Sequence, residues 1–318
     1  MRRTLVLVPL LAVGTDLAAQ TPAWRMSEPE VRAIVEHVRA GRSLKPAQWP
    51  GGARVAVLLS FDVDNETPTL TTIPDPTQAS IGALSKGEYG ARVGLGRVLA
   101  TLDRYRVPAT FFIPAMSLKL HPEMADAIKR GGRHEFAVHG WIHEQNPTLP
   151  ADAEADLVKR AAAELERMTG AKPVGYRAPS WNFSPNTLAM LKEQGFLYDS
   201  SLMADESPYE LKLDGKATGI VELPVEWILD DAPLFDPRGD RYASPREVLQ
   251  VYIDEFDRAW EEGTMFVLTM HPHISGHRSR ILVLEKLIEH IQSKGGAWFA
   301  THRQAAEYVK GATPAKTQ

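Results

Sequence analysis

Short β-branched or aromatic runs alternate with longer stretches of helical period along most of this chain, about seven times over. That alternation predicts a parallel sheet covered by helices. The expected strands are 54–62, 109–115, 135–140, 174–180, 197–201, 220–227, 264–271 and 296–301. Helical period falls on 94–106, 122–132, 151–170, 184–195, 244–263 and 278–296, and most of these stretches stop at glycine, a helix-end signal. No Gly-x-Gly-x-x-Gly follows the first strand, so a dinucleotide site is unsupported. An open doubly wound sheet and a closed barrel both satisfy the pattern, and a length of 318 residues accommodates a barrel of about 250.

The chemistry decides between them. Reactive residue types gather at the C-terminal ends of the expected strands: Asp62 and Asp64, His139, Arg177, Asp199, Trp227 and His271. In a barrel those ends ring one mouth, whereas in an open sheet the first and last would lie far apart. Closure or near-closure of a parallel α/β sheet is therefore expected. Residues 21–50 read as a leading helix and lid before it.

Asp62 and Asp64 are two apart on a strand, so both side chains point to one face and Val63 points away. Two buried carboxylates repel unless a cation lies between them. In "VHGWIHE", His139 and His143 are four apart, a metal-chelating spacing if the chain turns helical after the strand. Two imidazoles and one carboxylate form a zinc-type set of ligands with an open position. With no cysteine in the chain, disulfides, thiolate catalysis and Cys-based zinc sites are excluded, and a metal must be held by His, Asp or Glu. Arg177 cannot shuttle protons, and its expected role is a bidentate clamp on a carboxylate. His271 ends a strongly apolar strand and suits a general acid.

The opening "MRRTLVLVPLLAVGTDLAAQ" has two arginines, a short apolar run and small residues, the pattern of a secretory signal peptide over 1–20. The run is too short to span a bilayer, so no stable membrane insertion is expected. A net charge of −4 offers no clustered basic footprint, and no nucleic-acid partner is expected.

"SFDVD", "HGWIH", "RAPSW" and "LTMHP", in this order, resemble the motifs of the polysaccharide deacetylase family, carbohydrate esterase family 4 with its nodulation-type homology domain. The resemblance implies a distorted (β/α) barrel of about seven parallel strands; the barrel domain is read over 51–310, and 311–318 is read as a disordered tail. It also implies one divalent metal ion, zinc by expectation, bound by Asp64, His139 and His143. Asp62 would be the catalytic base, Arg177 its orienting partner and His271 the general acid. Asp199 could orient His271, and Trp181 and Trp227 could wall the pocket. The family's paired acids are adjacent, while here Val63 is inserted. With "YDSSLM", "ELPVEWILDD" and "MHPHISG", this resembles a subgroup holding peptidoglycan-deacetylase-like proteins and cyclic imide or ureide hydrolases. Three functions stay open: an N-deacetylase of an exported amino-sugar polymer, an amidohydrolase of a small cyclic amide, and a non-catalytic carbohydrate-binding protein. An open groove would suit a polymer. A site capped by 24–50 or 202–216 would suit a small molecule.

Overall fold

A computed structural model describes residues 22–235 and 242–312. The expected leader at 1–20 lies outside the described residues, as does most of the expected tail.

The strands, in chain order, are β1 (Val38–Ser43), β2 (Val55–Asp62), β3 (Thr110–Ile113), β4 (Glu135–Val138), β5 (Gly175–Tyr176), β6 (Tyr198–Asp199), β7 (Tyr209–Leu213), β8 (Lys216–Glu222), β9 (Met265–Met270) and β10 (Ala297–Ala300). Seven of them, in the order β9-β2-β3-β4-β5-β6-β8, pair in parallel and form one curled sheet. β10 pairs in parallel with the first half of β2, on the side where β3 pairs with its second half. An isolated parallel bridge between Asp230 and Thr269 then brings the segment after β8 against β9. The result is a distorted α/β barrel, the fold that the strand-end chemistry and the family resemblance led one to expect.

Alternation along β2 shows why the strand is buried on both faces. Val55, Val57, Leu59, Phe61 and Val63 pack outward among the helices Leu95–Tyr105, Pro245–Glu262 and Arg278–Lys294. Ala56 and Leu58 pack inward with Phe112, Ala137, Tyr198, Val221 and Val267 from the neighbouring strands. The same period carries Ser60, Asp62 and Asp64 to the inner face, where the strand reaches the barrel mouth.

Two strands escaped the sequence pattern. β1 pairs antiparallel with β7, and β7 antiparallel with β8, so both extend the sheet edge beyond the barrel. The segment expected as a lid therefore supplies one helix, Glu28–Val35, and an edge strand. The strand "VRAGRS" is mostly solvent-exposed and carries no apolar alternation to announce it.

Candidate active site

The barrel mouth holds a cavity of about 750 Å³ that brings together the polar strand ends. Asp62 and Asp64, from the end of β2, are nearly fully buried in its floor. His139 follows β4 directly. Its Nδ1–H donates to the Arg177 carbonyl oxygen at 2.8 Å, which fixes the tautomer and turns Nε2 toward the carboxylates.

His143 reaches the same point by a different route from the one expected. Residues 139–143 form no helix. Gly140 takes a φ of +75° and His143 a φ of +61°, so the chain doubles back in two left-handed steps. The loop is wrapped around the Glu144 carboxylate, which accepts the backbone N–H groups of Trp141 and Ile142 at 2.9–3.0 Å. A Cβ at position 140 would sit 2.8 Å from that carboxylate, so only glycine fits. Thr71 Oγ1 donates to the His143 carbonyl oxygen at 2.8 Å and holds the turn from above.

The three groups fit a cation. His139 Nε2 lies 3.5 Å from Asp64 Oδ1, and His143 Nε2 lies 3.7 Å from Asp64 Oδ2. These spacings are long for hydrogen bonds. They match the separation of about 3.4 Å between ligands each about 2.1 Å from one tetrahedral ion. Asp64 Oδ1 is buried without a hydrogen-bond partner, a cost that a bound cation removes. Burial first, then the charges of Asp62 and Asp231, lift the Asp64 carboxyl above its ordinary value despite the nearby imidazoles. Burial likewise lowers His139. Both shifts trace first to burial.

Asp62 behaves differently. Arg177 Nη1 donates to Asp62 Oδ1 at 2.7 Å. Burial alone would raise the Asp62 carboxyl, but Arg177 with His139 and His271 overcomes it and holds the group below the usual range. The clamp is single rather than bidentate. Three further guanidinium hydrogens go to Ser60 Oγ, Ser200 Oγ and the Ser200 carbonyl oxygen, each at 2.9 Å. The guanidinium carbon stands 3.9 Å over the Phe112 ring. Every contact fixes its position inside the barrel.

His271 ends β9. Its ring Nδ1–H donates to Asp231 Oδ1 at 2.6 Å, and its backbone N–H to Asp231 Oδ2 at 2.9 Å. Nε2 faces the cavity, 3.5 Å from Asp64 Oδ2. Burial would lower the imidazole, yet Asp231, with Asp230 and Asp64, keeps it protonated well above the ordinary histidine value. Asp231, not Asp199, is thus the partner of His271. Asp199 accepts from the hydroxyl and backbone N–H of Ser201, and burial pushes its carboxyl up to about 6. Asp230, pushed up to about 7 by burial, lines the cavity beside His271. The strand expected over 220–227 ends before both acids, which fall in the "ILDD" segment just beyond it.

Trp181 and Trp227 stack at 4.3 Å between ring centroids and form one wall. Six non-glycine residues among those described have positive φ, and four of them, Asn65, His143, Ser180 and Trp181, line this cavity. Strain concentrated in this way marks a functional site. Neither 24–50 nor 202–216 lines the cavity. Residues from the stretch 65–94, between β2 and β3, stand over it instead, among them Pro68, Thr72 and Lys86.

Comparison with known proteins accords with this arrangement. The sequence profile of the family described as Polysaccharide deacetylase matches residues 88–198, a stretch that holds His139, His143 and Arg177. The peptidoglycan deacetylase of Helicobacter pylori is 32% identical over 262 residues, covering 73% of this chain and 89% of that one. The chain belongs to the polysaccharide deacetylase family. A solved structure from Mycobacterium smegmatis, named only provisionally as a polysaccharide deacetylase, is 36% identical with a TM-score of 0.79. It covers 88% of this chain and 99% of that one. The Puue allantoinase shares the fold at 24% identity, with a TM-score of 0.76 over 86% of this chain and 95% of that one. As a polysaccharide deacetylase family member, the chain falls among hydrolases of carbon–nitrogen bonds other than peptide bonds.

Proposed function

We propose that this protein is a metal-dependent N-deacetylase of an exported amino-sugar polymer, peptidoglycan or a chitin-like glycan. The observation that carries the reading is the convergence, in one cavity, of a cation-ready triad with an ionised carboxylate and a protonated imidazole. A divalent ion held by Asp64, His139 and His143, zinc by its ligand set, would polarise the scissile carbonyl and make water acidic enough to react near neutral pH.

The chain supplies the rest. Asp62, kept ionised by Arg177, takes the proton from the attacking water. His271, kept protonated by Asp231, gives a proton from Nε2 to the leaving nitrogen. The bond between the carbonyl carbon and nitrogen breaks, leaving acetate and a free amine. The Arg177 carbonyl holds His139 in the ligating tautomer. Trp181 and Trp227 present an apolar face of the kind sugar rings pack against. The Helicobacter pylori relative supports peptidoglycan as the polymer, and the leader at 1–20 supports a periplasmic or secreted location.

A second reading, hydrolysis of a small cyclic imide or ureide, draws on the cover that 65–94 places over the cavity. The third, a binding protein without turnover, leaves the complete set of acid, base and ligands without a use. Purified protein loaded with zinc or cobalt, offered chitooligosaccharide, peptidoglycan, succinimide and hydantoin side by side, separates the three. Release of acetate from the glycans supports deacetylation, ring opening supports the second reading, and no turnover supports the third.

A further inference from the structure

His273 stands two residues beyond the proposed acid and has no part in the chemistry above. It lines the cavity, is 8% exposed, and its buried Nδ1 has no hydrogen-bond partner. A buried polar atom left unmatched costs free energy that native structures seldom leave uncompensated. Its position is closely set. The rings of His271 and His273 meet edge to face at 5.6 Å. Gly90 passes so close that a Cβ there would lie 2.9 Å from the His273 Cβ. Gly94 and Gly276 meet just behind it, each against the Pro272 carbonyl. These contacts fix the backbone and the Cβ from which the imidazole projects.

Resting on the assignment of His271 as the proton donor to the leaving nitrogen, we infer that His273 binds an oxygen carried on the leaving-group side of the substrate. The two residues share one short turn, so a molecule whose nitrogen meets His271 Nε2 presents the framework attached to that nitrogen to His273. The ring is suited to this. Burial, together with the positive charge of His271 and Lys86, holds it neutral, so it offers both a donor and an acceptor. The substrate class is an amide whose leaving group bears a hydroxyl or carbonyl, rather than a simple alkyl amide.

The test compares matched substrates in the zinc-loaded protein. The pairs are N-acetylglucosamine against N-acetylcyclohexylamine, and succinimide against 2-pyrrolidinone. In each pair only the first carries an oxygen on the leaving side. The wild type should prefer the oxygen-bearing member by kcat/KM, and His273→Ala should lower that preference about tenfold. His273→Asn, which keeps a donor and an acceptor, should restore part of it. Unchanged zinc content and thermal midpoint would show that the variants fold. An equal loss on both members of a pair, or no loss on either, would overturn the inference. Turnover of the imide pair alone, with no acetate released from chitooligosaccharide, would sink the deacetylase reading and still test His273. Turnover of neither pair would overturn the inference about His273, and acetate release from chitooligosaccharide would then leave the deacetylase reading standing.

Discussion

Each proposed active residue owes its behaviour to a neighbour that sequence order does not reveal. Asp62 and Asp64 are two residues apart and equally buried, yet one is held below its ordinary value and the other lifted above it. Arg177 makes the difference, through one hydrogen bond to Asp62. His139→Ala should take bound zinc from stoichiometric to undetectable, read by atomic absorption, with loss of amide hydrolysis; retained zinc would show the ion sits elsewhere. Asp231→Asn removes the largest influence holding the His271 proton. The imidazolium should then lose its proton at lower pH, so the alkaline limb of kcat/KM moves down, and neutral activity should fall roughly 10- to 100-fold. An unmoved alkaline limb would mean that His271 is not the acid. The residue types at the site were legible in the sequence because acids and histidines at apolar strand ends have few structural uses. Asp231 and His273 were not legible. They lie in two short helices, Asp231–Phe235 and Pro272–Ser275, whose placement depends on the Asp230–Thr269 bridge and on glycine contacts distant in sequence.

At the scale of elements, the cover over the cavity is seated by small residues. The helix Ile81–Tyr89 continues through a wide turn at Gly90–Gly94, and its Gly87, Gly90 and Gly94 meet Asn65, His273 and Pro272. A Cβ at position 94 would overlap the Pro272 carbonyl, which is backbone and cannot step aside. Gly94→Ala should destabilise the protein by about 1–3 kcal/mol, measured by urea unfolding, and weaken activity by displacing the turn that carries His271 and His273. Unchanged stability would mean that the cover is loosely seated. The helix periodicity here was readable from 94 onward, but the stretch before it has no strong apolar stripe, so its role as a cover was hidden. The same holds for β1, whose polar sequence pairs at the sheet edge, where burial imposes little pattern. β7 does alternate, with Tyr209 and Leu211 buried, but over only five residues. Strands buried on both faces, such as β2 and β9, announced themselves as continuous apolar runs.

Across the whole molecule, the barrel places buried acids outside the site as well as within it. Asp199 and Glu222 share the interior under the mouth. Burial raises both, Asp199 to about 6 and Glu222 further through the charge of Asp199. Folded-state values above the unfolded ones mean that the folded protein binds more protons. Their contribution to stability is present below about pH 4 and is lost as pH rises through 6 and beyond. Glu222→Gln, which mimics the protonated acid, should flatten the decline in unfolding free energy between pH 5 and 8, and an unchanged slope would refute this assignment. Curling of the sheet was inferable because distant strand ends had to share one chemistry, and the seven-strand order with the Asp230–Thr269 bridge shows a curled sheet that stops short of full strand-to-strand closure. The central claim is that those ends meet around a single catalytic cation. The most direct measurement strips the protein with a chelator and titrates zinc back while following acetate release from chitooligosaccharide. Hydrolysis should be absent at the start, rise in proportion to the zinc bound, and level off at one ion per chain. Full hydrolysis by the stripped protein would contradict the account.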